Sequence, residues 1–368
     1  MGEGMVGVLN MDRAEQKRQL KLEEISFPIK ISLLICIFFV CVFLMIFSVR
    51  KFYAEIYYMK GRNYLNIGKY ERALFDLAKA ITFNPVHGRA LFYYAKTNYH
   101  LPIVSIEDKK TAYREAAIMA LRSLTTMTHK AKNYLLLADI YLDTFEFSKS
   151  EEYANKARIL DPGNENITYL FGRYYYNKKE YKKAIEQFMA VDFSKLQRND
   201  LFKWIGFAYY KLENYDNALG FFLKYLNKFS DDFEIHHFIA DVYIRKKHYD
   251  LGIDYFERLQ KKYTLSDILI NDLGSFYLPK RRFKEAIECF QKAIEINPNY
   301  APAYKNLGTT YMYYSDDPNQ SRDYSKTVVY WEKYLELEKK DAKSVEFVQK
   351  RLPMLKKNLE RMEKEKKK

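Results

Sequence analysis

The stretch NDLGSFYLPKRRFKEAIECFQKAIEINP, residues 271–298, decides the fold. Apolar residues recur in it at helical spacing on both sides of the Pro279–Arg282 break, which predicts two helices joined by a tight turn. Its tyrosine belongs to a series: Tyr141, Tyr175, Tyr209, Tyr243 and Tyr277 stand 34 residues apart. A small residue precedes each by three places (Ala138, Gly172, Gly206, Ala240, Gly274), and another follows each by nine (Ser150, Ala184, Ala218, Gly252, Ala286). Both columns extend outward through Gly61, Tyr64 and Ala73 and through Gly308, Tyr311 and Thr327, with a looser copy at Ala95, Asn98 and Ala116. A strict period of this length identifies stacked helical repeats, each helix pair burying its apolar face on the next.

Leu273, Gly274, Tyr277, Ala286, Phe290, Ala293 and Pro298, matched in the first copy by Tyr57, Gly61, Tyr64, Ala73, Leu77, Ala80 and Pro85, carry a resemblance to the tetratricopeptide repeat. The resemblance implies an all-α fold, a TPR superhelix (α-solenoid) of about eight helix pairs, spanning 54–341. Copies run 54–87, 88–130, 131–164, 165–198, 199–232, 233–266, 267–300 and 301–341, the second and eighth carrying extra residues between their helices near Leu101–Thr111 and Ser315–Ser325. Residues 342–368 continue at helical spacing through Val345, Val348, Leu352, Leu355 and Leu359 despite Pro353, and are expected to cap the last pair.

Composition agrees with a helical chain. Thirteen glycines and nine prolines among 368 residues leave few breakers, and 48% hydrophobic residues supply a core. The net charge of +14 favours acidic partners, and residues 342–368 hold ten basic against four acidic residues. From Ile31 to Val49 run 19 uncharged residues, enough as a helix to cross a bilayer's hydrocarbon. This run, 31–49, is expected to be a single transmembrane helix after a charged tail at 1–30, with Phe52, Tyr53, Tyr57 and Tyr58 in the interfacial belt. Basic residues tie on its two sides, so the positive-inside rule abstains; the cost of translocating the charged tail favours repeats outside the cytoplasm.

The sequence lends catalysis no support, so an enzyme is not expected, and neither a cofactor nor a metal. Six residues separate Gly61 from Gly68 where a phosphate loop needs four. His236 and His237 lack zinc-helix spacing, and Cys289 beside Phe290 reads as a buried small side chain. The tyrosines belong to packing columns rather than to a base-stacking platform, so nucleic acid is disfavoured as a partner.

In the family, the second, fifth, ninth, twelfth and thirteenth places of each first helix line the inner face. Here those places hold Tyr58, Arg62, Arg89, Phe92, Lys96, Tyr99, Tyr169, Arg173, Tyr176, Lys203, Phe207, Tyr210, Lys211 and Arg245, with Asp139, Asp143 and Asp241 as acidic exceptions. This set predicts an aromatic and basic groove for a protein partner's acidic or apolar-acidic segment. Lys203 with Phe207, and Lys305 with Thr309, miss the Lys and Asn pair of the family's carboxylate clamp, which weakens a chaperone-receptor role. The expected function is a membrane-anchored scaffold. Its architecture resembles bacterial envelope proteins with periplasmic repeats, and its Lys, Tyr and Phe richness is similar to that of spirochaete proteins building the collar of periplasmic flagellar motors. The alternatives are a cytosol-facing receptor or assembly factor, and a nucleic-acid or anionic-lipid binder using the basic tail.

Overall fold

A computed structural model describes residues 27–102, 106–124, 131–196, 198, 200–314, 322–338 and 341–366. The tail before residue 27 and most of the insertion near 315–325 lie outside them. Among the described residues there are 17 α-helices and no strand. They are α1 Phe27–Asn66, α2 Tyr70–Phe83, α3 Gly88–His100, α4 Ile106–Leu124, α5 Ala131–Asp143, α6 Phe147–Leu160, α7 Glu165–Asn177, α8 Tyr181–Met189, α9 Leu201–Lys211, α10 Tyr215–Leu226, α11 Phe233–Arg245, α12 Tyr249–Lys262, α13 Asp267–Tyr277, α14 Phe283–Ile296, α15 Ala301–Tyr311, α16 Tyr324–Leu337 and α17 Ala342–Lys366.

The chain divides into two compact units between Leu170 and Phe171, inside α7. In the first unit, Tyr53 and Tyr57 of α1 stack on Phe83, and Gly61 lies against Ala73 and Leu77, so α1 and α2 run antiparallel. Glu55 meets His87 and Arg89, while Arg62 meets Tyr93, so α3 runs parallel to α1. Lys132 over Phe92, and Asp143 accepting a 2.7 Å hydrogen bond from Tyr99 Oη, align α5 with α3. Helices α3 and α5 therefore start along one edge of the unit, the edge that α1 passes through near Arg50, and α2, α4 and α6 end there.

The small columns have a steric cause. A Cβ built on Gly172 falls 2.4 Å from the Phe188 ring, and one on Gly308 falls 2.5 Å from Trp331 Cδ1. Helix pairs approach this closely only where the side chain is missing. In the second unit Phe207, Phe222, Phe256, Phe276 and Phe290 build a continuous core. Val348, Leu352 and Leu355 of α17 are buried against Trp331 and Tyr334, with Pro353 inside the helix.

The turn between paired helices repeats too. Gly68, Phe145, Lys179, Glu213, Lys247 and Arg281 all adopt φ between 57° and 74°, the left-handed region. At each, the following N–H donates to the column tyrosine's carbonyl, as Lys69 does to Tyr64 at 2.9 Å and Glu180 to Tyr175 at 2.9 Å. This satisfies orphan carbonyls at the helix end. Five of the six bear a side chain that this region disfavours. Lys179→Gly is expected to raise stability by about 0.5 to 1 kcal/mol, relief of strain exceeding the lost chain stiffness. Chemical denaturation measures it, and a lower midpoint would show that the turn is unstrained.

Candidate functional site

Some side chains assigned to the inner face are buried, which corrects the reading of one open groove. In the first unit Tyr58 is 2% exposed between the His87 and Tyr93 rings, Phe92 and Tyr99 are buried, and Tyr169 is fully buried. In the second unit Arg173 is only 8% exposed and lies 5.4 Å from the Trp204 ring, while Phe207 is buried against Phe222 and Phe238. For Tyr58, Arg173 and Phe207 the cause is depth: these places face inward, but side chains of the next repeat's first helix or its cap cover them. Tyr53 and Tyr57, expected at the membrane interface, stack on Phe83 instead, and Tyr58 belongs to the core.

Several cations are neutralised within the fold. Lys203 Nζ lies 3.1 Å from Asp232 and 2.6 Å from Glu234. Burial alone would lower its pKa, but these two carboxylates outweigh burial and raise it. Arg245 and the Tyr210 phenol both donate to Asp241, and burial together with that carboxylate pushes the phenol up to about 12. Tyr176 is pushed up to about 12, chiefly by burial against Tyr181 and Trp204. Lys211 is exposed, 6.0 Å from the Tyr210 ring. Lys246 pairs with Asp216, and Lys280 with Asp250 at 3.0 Å, each joining one turn to the second helix of the preceding pair.

The first unit assembles a different arrangement. Arg62 on α1, Arg89 and Lys96 on α3, and Lys132 on α5 converge. Burial and then the fields of Arg62, Arg89 and Lys96 hold the Lys132 ammonium below the ordinary lysine pKa. Glu55 takes up part of this charge, 3.1 Å from Arg89. Aromatic faces carry the cations: Arg62 lies 5.7 Å from Tyr93, Arg89 5.1 Å from Tyr58 and Lys132 4.7 Å from Phe92. Arg62 is exposed and Lys96 half-buried, so a ligand reaches the cluster from solvent. Sequence reasoning missed Lys132, although it holds in the third copy the place that Arg89 holds in the second.

The thiol and the imidazoles singled out in the sequence are held in packing positions. Burial pushes the Cys289 thiol up to about 12, the opposite of activation. Among the described residues no three His, Cys, Asp or Glu side chains are grouped to hold a metal. His236 is buried, its Nε2 3.0 Å from the Ser230 carbonyl and its Nδ1 2.6 Å from Tyr255 Oη.

His237 Nδ1 lies 2.7 Å from the buried Asp272, whose hydrogen bond raises the imidazole pKa above 6.5. A raised native pKa gives stability that is full below the unfolded-state value and lost as pH rises through the native one. The gap in unfolding free energy between wild type and His237→Gln is therefore expected to be full below about pH 6.5 and to shrink as pH rises beyond it, staying under about 1 kcal/mol for a half-exposed ring. Denaturation across pH checks this, and a gap that widens toward high pH would refute the ion pair.

Comparison with known proteins agrees with this architecture. Tetratricopeptide repeat family models match residues 54–87 and 204–232, and a TPR repeat model matches 277–312. No curated protein matches the chain. Among solved structures, a tetratricopeptide repeat protein of Parabacteroides merdae shares 17% identity over 70% of this chain and 98% of its own, with a TM-score of 0.46. YrrB, described as a TPR protein with an unusual peptide-binding site, shares 22% over 51% of this chain and 96% of its own, with a TM-score of 0.43. A thermophilic TPR protein of Thermus thermophilus shares 16% over 52% and 99%, also with a TM-score of 0.43. The family matches fall in both units and coincide with the glycine and tyrosine columns, and the chain is accordingly a tetratricopeptide-repeat protein.

Proposed function

We propose that this chain is a scaffold held at a membrane by residues 31–49, and that it captures an acidic, partly apolar segment of a protein partner on the first unit's cationic face. Tetratricopeptide repeats serve protein–protein interaction. The observation that carries the acidic ligand is the convergence of Arg62, Arg89, Lys96 and Lys132, close enough that Lys132 feels the other three. Carboxylates relieve that repulsion, and the rings beneath the cations take apolar side chains. The anchor is supported by α1, long and apolar enough to span a bilayer, with a window of mean hydropathy 3.0 and none of it buried.

Charge reversal tests the proposal. Arg62→Glu with Lys132→Glu should weaken capture of partners from a membrane extract by about 1 kcal/mol per cation, roughly tenfold or more in all, while shifting stability by about 0.5 kcal/mol each. Pull-down with quantitative mass spectrometry reads the loss. A double variant that holds the same partners equally well moves the binding surface elsewhere.

The finer reading places the repeats in the periplasm, within an envelope complex and by composition in a flagellar collar. It rests on the charged N-terminal tail and on residue content alone. The cytosol-facing alternative is separated from it by protease protection in intact cells. For the nucleic-acid or lipid reading of residues 342–368, the burial of Val348, Leu352 and Leu355 favours a capping role instead.

A further inference from the structure

The edge of the first unit from which the apolar run departs has a composition of its own. Arg50, the first residue after that run, donates from Nη2 to the Thr82 carbonyl at 3.2 Å. The end of α2 and the loop that follows it therefore return to the height at which the apolar run stops. Pro85 and Val86 lie in that loop, and Val86 is 65% exposed. At the same edge the end of α6 presents Ile159, 78% exposed, next to exposed Leu160, and α1 presents exposed Phe52. The end of α4 comes to this edge too, since Ser123 is hydrogen-bonded to Asn133 at the start of α5. Large aliphatic side chains exposed beside a membrane span are costly in water and stable in the acyl boundary.

Charge points the same way. Arg50, Lys51, Arg122 and Arg158 are exposed along this edge, and Glu55 is engaged by His87 at 3.0 Å and Arg89 at 3.1 Å. Basic side chains flanking exposed apolar ones match an anionic headgroup layer.

We infer that the first unit lies edge-down on the bilayer, with Val86, Ile159 and Leu160 inserted at the headgroup boundary and the flanking cations on lipid phosphates. The inference rests on the reading of 31–49 as a membrane span, and it adds a second, peripheral contact that fixes the tilt of the first unit. The cationic face then opens parallel to the membrane surface rather than away from it.

Depth-dependent quenching tests it on the full chain reconstituted in phosphatidylcholine and phosphatidylglycerol vesicles with lipids brominated high on the acyl chain. Tryptophan is placed singly at Val86, Ile159, Leu44 and, on the opposite edge, Ile67, which is also exposed; signals are read as the difference from wild type, whose Trp204 and Trp331 supply the background. Val86→Trp and Ile159→Trp are expected to lose emission about twofold while Ile67→Trp keeps its own. Absence of quenching at Val86→Trp and Ile159→Trp, with Leu44→Trp quenched, overturns the edge contact and leaves the span intact. If Leu44→Trp is not quenched either, the span falls and the edge contact with it. Equal quenching at Ile67→Trp overturns the edge-down orientation.

Discussion

A Gly206→Leu variant is expected to lose about 3 kcal/mol of stability. A Cβ alone at this position falls 2.6 Å from two atoms of the Phe222 ring. That ring is fully buried and cannot withdraw, since Phe207 and Phe238 hold it at centroid distances of 5.4 Å and 6.0 Å. The added side chain must therefore force α9 and α10 apart, and the core they share with α11 opens with them. Gly220, two residues past Ala218 and so on the far side of α10, makes the control: a Cβ there meets nothing within 4 Å. Gly220→Ala should gain about 0.5 to 1 kcal/mol by stiffening the unfolded chain. Thermal and urea unfolding measure both, and a Gly206→Leu midpoint equal to wild type would show the register to be wrong.

Arg173→Glu is the second large effect, a loss of about 3 to 5 kcal/mol in stability rather than in binding. By its place in the repeat Arg173 belongs with Arg62 in a ligand-facing column, where reversing its charge would leave the fold alone. Its burial over the Trp204 ring changes that expectation. A carboxylate there is desolvated and faces the negative side of the indole, whereas the guanidinium was attracted to it. Arg173→Met keeps the stem and loses the charge, so it should cost only about 1 to 2 kcal/mol. If Arg173→Glu unfolds at the wild-type midpoint yet binds poorly, the residue is a ligand contact after all.

These two residues mark how far the sequence could be read. The contact columns were legible because sterics allow one solution: where a second helix brings Phe188, Phe222 or Phe290 against the first, the facing place must be glycine. The inner face is chosen by place, but its depth is set by neighbours, so Tyr169 and Arg173 disappear into the structure while Arg62 stays open. Pairs such as Lys203 with Asp232, or Lys246 with Asp216, join residues about 30 apart in different repeats, and no local pattern marks which acid takes which base. The left-handed turn was visible only in Gly68, since its other occupants are Phe, Lys, Glu, Lys and Arg. The division between Leu170 and Phe171 left no trace in composition, falling inside an unbroken helix.

Helix α1 runs from Phe27 to Asn66 without interruption, so the apolar run and the first helix of the first repeat are one rod of 40 residues. A hinge would let the first unit sample every heading; a rod gives it a single bearing. Each residue of an α-helix advances about 100° and 1.5 Å. One residue inserted between Arg50 and Ala54 would swing the Arg62 and Lys132 face by roughly a quarter turn about the rod, and seven would return it to within about 20° of its heading, some 10 Å farther out. If the apolar run spans a bilayer, as proposed above, the first unit is aimed rather than tethered, and a partner fixed in that membrane would have to stand at the matching azimuth and height to be held.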